Sequence, residues 1–185
     1  MEHKKCCFIS QRAMEFSFGL DEDDSRFIAT KAHIKEVIKS LLEQGVTHFS
    51  TSMTLGFGTY VAEIIETVRL RYPEATLECI IPFEEISVKW SRVWRGRYFE
   101  ALMHCDKEIL LSTKPTPTAL IDAYQFMLER SDHAVFITCD TDYDGTQIEN
   151  DYIKSLMEFA NSHHVEIIQI KADSFPADGV RVGRN

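Results

Sequence analysis

Short apolar runs and segments of helical period alternate along the chain. Cys6 to Ile9 is an apolar run near the amino terminus that ends on the polar residues Ser10, Gln11 and Arg12. Such a run predicts a first, buried strand of an α/β sheet. Ile34, Val37, Ile38, Leu41 and Leu42 recur at helical spacing, and Gly45 follows as a stop signal. Val46 to Ser50 predicts a second strand. The small-residue turn Thr51 to Gly58 feeds a helix with Val61, Ile64, Ile65 and Val68 on one face. Tyr72-Pro73 ends it, because proline disfavours a helical residue before it. Leu77 to Ile81 predicts a third strand, Glu84 to Cys105 one or two helices, and Ile109 to Ser112 a fourth strand. Ala119 to Arg130 predicts a helix, Ala134 to Cys139 a fifth strand, and Asp140 to Gly145 a polar turn. Gln147 to His163 predicts the last helix and Val165 to Ile170 a sixth strand.

This alternation predicts an α/β, three-layer fold, with a mostly parallel sheet of about six strands and helices on both faces. Residues 1–170 read as a single domain, and Lys171 to Asn185, with Pro176, Gly179 and Gly183, as a loose tail. In open α/β sheets ligands sit beyond the carboxyl ends of the strands, where strand order reverses. Ser10, Gln11 and Arg12 are therefore the first candidates, with Arg12 the strong anion-binding side chain. The turn to Gly58 enters a helix, so its N–H groups suit a phosphate, with a plain tight turn as an equal alternative. It is neither a Walker loop nor the Rossmann glycine fingerprint.

Composition narrows the function classes. A net charge of −9 and a pI near 5.2 argue against wholesale nucleic-acid wrapping and against docking on anionic membranes. Cys6, Cys7, Cys79, Cys105 and Cys139 show no metal-site spacing, so reduced thiols and a cytoplasmic location are expected. No apolar stretch approaches a membrane span, and the start, Met-Glu-His-Lys-Lys, lacks a signal-peptide core. Lys89, Arg92, Arg95 and Arg97 interleave with Trp90, Trp94, Tyr98 and Phe99, a mixture that suits single-stranded nucleic acid. The helical spacing of Trp90, Trp94 and Arg97 favours core packing or a subunit contact instead. Asp140, Asp142 and Asp144 alternate, but Asp151 stands where a calcium loop needs Glu; a Mg²⁺ contact to bound phosphate is the functional alternative.

Phe8-Ile9-Ser10-Gln11-Arg12 and Phe18-Gly19-Leu20-Asp21-Glu22-Asp23-Asp24 open a series that continues with Gly45-Val46-Thr47-His48-Phe49, Gly56 and Ala62-Glu63. Tyr72-Pro73, Ile81-Pro82, Trp90, Arg97-Tyr98, Arg130-Ser131-Asp132 and Asp144-Gly145-Thr146 complete it. In order and spacing, over roughly residues 7–170, the series resembles the YpsA-like branch of the SLOG superfamily. That superfamily includes DprA and the cytokinin-activating phosphoribohydrolases. The resemblance implies a Rossmann-like domain that binds a nucleotide-derived ligand of the ADP-ribose kind. The family's first loop reads Thr-Gly-His-Arg, of which only Arg12 remains. Its second reads Ser-Gly-x-x-x-Gly-x-Asp, where this chain has Ser52 for the first glycine and Gly58 for the aspartate.

The implied pocket comprises Ser10, Gln11 and Arg12 with Ser52, Gly56, Phe57, Gly58, Asp144, Gly145 and Thr146. Thr146 would cap a helix aimed at the ligand. The phosphoribohydrolase relatives need an arginine before the fifth strand and a Glu in Gly-Thr-x-x-Glu. Glu149 keeps the acid, but Ala123 stands at the arginine position. The expectation is a non-enzymatic binding or sensing domain, without a resident cofactor, taking a nucleotide-like partner. A homo-oligomer follows by analogy, with neither membrane nor nucleic acid as partner. The alternatives are an N-glycosidic hydrolase using Glu149, or a degenerate scaffold for protein or single-stranded DNA contact.

Overall fold

A computed structural model describes residues 4–175. The strands are β1 Lys4–Ser10, β2 Val46–Ser52, β3 Thr76–Ile81, β4 Lys107–Leu110, β5 His133–Thr138 and β6 Glu166–Lys171. The helices are α1 Ser25–Glu43, α2 Phe57–Arg69, α3 Arg92–His104, α4 Ala119–Leu128 and α5 Asp151–Ser162. All neighbouring strands pair in parallel, in the order β4-β3-β2-β1-β5-β6. The fold is the expected Rossmann-like three-layer arrangement.

β1 shows why. Its side chains alternate with the period of a strand. Cys6 and Phe8 enter a core with α1, α2 and α3, whereas Cys7 and Ile9 enter a second core with α4 and α5. Both faces are covered, so the strand is apolar throughout. Asp24 starts α1 by accepting a hydrogen bond from the Arg26 N–H, 2.8 Å.

Several boundaries differ from expectation. β2 runs to Ser52, so Thr51 and Ser52 are strand residues rather than turn residues. Within residues 84–105 only Arg92–His104 is helical; Trp90 precedes the helix in a run of turns. Trp90 and Trp94 still pack against the first core, while Phe99 is exposed. α5 begins at Asp151, not Gln147. Hydrogen bonds from Asp142 N–H to Thr146 C=O and from Ile148 N–H to Asp140 C=O draw residues 141–147 into a small hairpin instead. At the expected tail, Lys171 closes β6, Ala172–Ser174 forms a 3₁₀ turn, and Phe175 packs on the core. Pro176, Gly179 and Gly183 lie outside the described residues. Among the described residues no helix is long and apolar enough to cross a membrane.

Candidate functional site

β1 lies between β2 and β5, so strand order reverses at its edge and the crevice at its carboxyl end is where ligands are expected. Gln11 sits there, only 2% exposed. Its backbone N–H donates to Ile137 C=O at 3.3 Å. Its side-chain Oε1 accepts a hydrogen bond from the Cys139 backbone N–H. Its Nε2 is buried and has no hydrogen-bond partner among the described residues. An orphaned buried donor costs about 1–3 kcal/mol, so this group calls for an explanation.

Gln11 forms part of the wall of a cleft of about 210 Å³ between α5 and the ends of β5 and β6. Thr138, Asp140, Glu149, Lys154 and Gln169 share that lining, with Ile153 and Met157 as apolar contacts. Lys171 Nζ is paired with Asp140 Oδ2 at 3.0 Å, and Gln169 Nε2 donates to Thr138 Oγ1 at 3.1 Å. A wider furrow of about 570 Å³ between α1 and α2 lies away from the strand ends. Its Glu63 is already held by Arg97.

Arg12 is exposed, with its guanidinium carbon 5.8 Å from the centre of the Tyr152 ring. Beneath it, Glu15 Oε2 accepts from Arg12 N–H at 3.0 Å and from Tyr152 Oη at 2.5 Å. Tyr124 Oη donates to Ser10 C=O at 2.7 Å. Burial, then the Glu15 carboxylate, pushes the Tyr152 phenol up, and burial raises that of Tyr124. Both remain neutral donors that hold the β1 end in place.

Ser10, Ser52, Phe57 and Gly58 meet in a hollow with no room for a water molecule. A Cβ on Gly58 would lie 2.1 Å from Ser52 C=O, so the turn is closed on itself. Ser52 Oγ is buried there without a partner. Gly56 has φ +92°, and a Cβ on it would lie 3.2 Å from Ala13 Cβ. Asp144, Gly145 and Thr146 are exposed on the hairpin. Thr146 does not cap α5, whose N-cap is Asn150, because the hairpin bonds hold it away; its N–H donates to Asp142 Oδ1 at 2.8 Å. Glu149 precedes α5 rather than lying in its first turn.

The expected residues thus fall into separate groups. Gln11 forms part of the cleft wall, Arg12 is exposed beside Tyr152 of α5 and outside the cleft lining, and the Ser52–Gly58 turn is packed shut. Thr138, Lys154 and Gln169 escaped notice in the sequence. Gln169 left a trace, as a polar interruption of the apolar run ending at Ile170. Among the described residues no three His, Cys, Asp or Glu side chains gather to hold a metal ion.

This geometry accompanies a family match over residues 6–175, to the family described as YspA SLOG (YpsA). The chain belongs to the YpsA family of SLOG proteins. It is 27% identical over 152 residues to a UPF0398 protein of Levilactobacillus brevis, covering 81% of this chain and 79% of that one. A UPF0398 protein of Enterococcus faecalis is 26% identical, covering 85% of this chain and 88% of the other. The UPF0398 protein YpsA of Bacillus subtilis is 27% identical, covering 63% and 67%.

Proposed function

We propose that this YpsA-family chain is a non-enzymatic binding or sensing domain for a nucleotide-derived or phosphorylated small ligand. The ligand enters at the carboxyl ends of β1 and β5. The observation that carries this reading is the Gln11 Nε2, a buried donor without a partner in the wall of an open cleft at the strand-order reversal. Arg12 supplies a cation at the rim, available to a phosphate. Binding without turnover is supported by Ala123, which stands where the phosphoribohydrolase relatives need an arginine and is wholly buried in the second core.

Calorimetry with ADP-ribose and AMP tests the reading. Binding by the wild type that weakens in Arg12→Ala is expected. No binding, or binding undiminished by that change, overturns it. Incubation with AMP should release no free base; release abolished in Glu149→Gln would establish the hydrolase instead.

A further inference from the structure

We infer that the cleft beside Gln11 seats the planar ring of the ligand rather than its phosphate, and that it selects a ring edge carrying an acceptor next to a donor. This rests on the nucleotide reading above and specifies which end goes where.

Two amides line the cleft, and each is held by one end. The Cys139 backbone N–H can only donate, so it fixes Gln11 with Oε1 in that bond and leaves Nε2 as the buried end without a partner, which a small turn of the side chain would bring to a ligand. Gln169 spends its Nε2 on Thr138 Oγ1, and its Oε1 has no partner among the described residues. Thr138 and Cys139 are consecutive, so one unpartnered donor and one unpartnered acceptor are anchored to neighbouring residues at the end of β5, in the lining of one cleft. That pair matches the amine and ring nitrogen of adenine, or the carbonyl and ring N–H of hypoxanthine.

Shape and charge point the same way. Ile153 and Met157 provide apolar wall for a ring. Pockets for larger, drug-sized ligands run to about 300–1,000 Å³, so about 210 Å³ suits a ring rather than an entire nucleotide. Asp140, paired with Lys171, and Glu149 match the two lysines of the lining, Lys171 and Lys154, so the cleft carries no net positive charge to draw a phosphate inward. The phosphate end therefore projects outward.

The test titrates the ¹⁵N-labelled full chain with adenosine, inosine, purine riboside and ribose 5-phosphate. The Gln11 side-chain amide signals, assigned by their loss in Gln11→Leu, should move with adenosine or inosine and stay put with ribose 5-phosphate. Purine riboside, which lacks the exocyclic group, should bind about two- to tenfold weaker than the preferred nucleoside, the worth of one lost hydrogen bond. Gln169→Leu, at an exposed position that should fold, should erase that discrimination. ADP-ribose binding that is undiminished in Gln169→Leu and leaves the Gln11 amide unmoved overturns the ring seat while the nucleotide reading stands. Absence of binding by every nucleotide and nucleoside removes both.

Discussion

Gln11 and Cys139 are joined across the strand-order reversal: the Gln11 amide oxygen accepts the Cys139 backbone N–H, 128 residues away in sequence. The bond ties the end of β1 to the end of β5 and sets the wall of the cleft. Gln11→Leu exchanges one buried orphan for another: it removes the unpartnered Nε2 and leaves the Cys139 N–H without its acceptor. Each costs about 1–3 kcal/mol, so the two largely cancel and chemical denaturation should show a change within about 1 kcal/mol. A loss of about 3 kcal/mol or more would mean that Nε2 is hydrogen-bonded in solution.

The fold was more legible than the site, for a physical reason. Strand and helix periods are local, and burial of both faces of β1 turns its alternation into one apolar run, Cys6 to Ile9. The site depends on which face each residue meets after the strand ends. Ser10 lies in the closed hollow beside α2, whereas Gln11 faces α5. Residues 147–150 carry neither glycine nor proline, so nothing local announced that hairpin bonds would delay α5 to Asp151. Gln169 could be seen as a polar break in a strand, but not as a neighbour of Gln11.

Arg97 should be sensitive to conservative replacement. Its guanidinium donates to Glu63 at 2.6 and 2.7 Å and also to Glu22, and it lies 4.6 Å from the Trp94 ring and 4.7 Å from that of Tyr60. It ties the acidic loop before α1 to both α2 and α3. Lysine keeps the charge but not the planar fork or the stacking. Arg97→Lys should cost about 1.5–3 kcal/mol, the worth of one lost charged hydrogen bond, read from the denaturation midpoint. An unchanged midpoint would show that the loop is held by other contacts.

Asp24 links stability to pH. The Arg26 side chain, and with it the helix N–H groups, holds its carboxyl below its ordinary value of 3.8, against the smaller opposing effect of burial. A depressed folded-state value gives stability that is present above the ordinary value and lost as pH falls through the folded one. Asp24→Asn keeps a good N-cap and removes only the charge. The wild type should be the more stable at pH 7, with the gap closing as pH falls through and below the carboxylate range. A gap independent of pH in paired denaturation curves would remove the ion pair from this account.

One added methyl group should act in opposite directions at two glycines. In Gly58→Ala the Cβ would meet Ser52 C=O at 2.1 Å and Thr54 Oγ1 at 2.4 Å, so backbone must move. A loss of about 3 kcal/mol or more is expected from this overpacking. Gly96 lies within α3 with nothing within 4 Å of the position of its Cβ. Gly96→Ala should stabilise by about 0.5–1 kcal/mol through reduced freedom of the unfolded chain and better helix propensity. Thermal unfolding of the two variants checks both signs, and a destabilised Gly96→Ala would reveal that this face of α3 is covered in solution.

The cysteines should separate sharply in reactivity, since the thiolate is the nucleophile. Cys6, Cys7, Cys79 and Cys139 are buried, and Cys105, just after α3, is partly exposed. Burial drives the Cys6 thiol up and pushes Cys7 to about 12. The hydrogen bond with Cys79 lowers Cys105, outweighing the effect of its own partial burial, while Cys79 moves upward. Iodoacetamide on the native chain should therefore alkylate Cys105 first, with Cys6 and Cys7 modified only in denaturant, as read by peptide mass spectrometry. Modification of Cys6 or Cys7 at the Cys105 rate under native conditions would mean that β1 opens locally. The strand that leads into Gln11 would then be a mobile support rather than the rigid one on which the cleft depends.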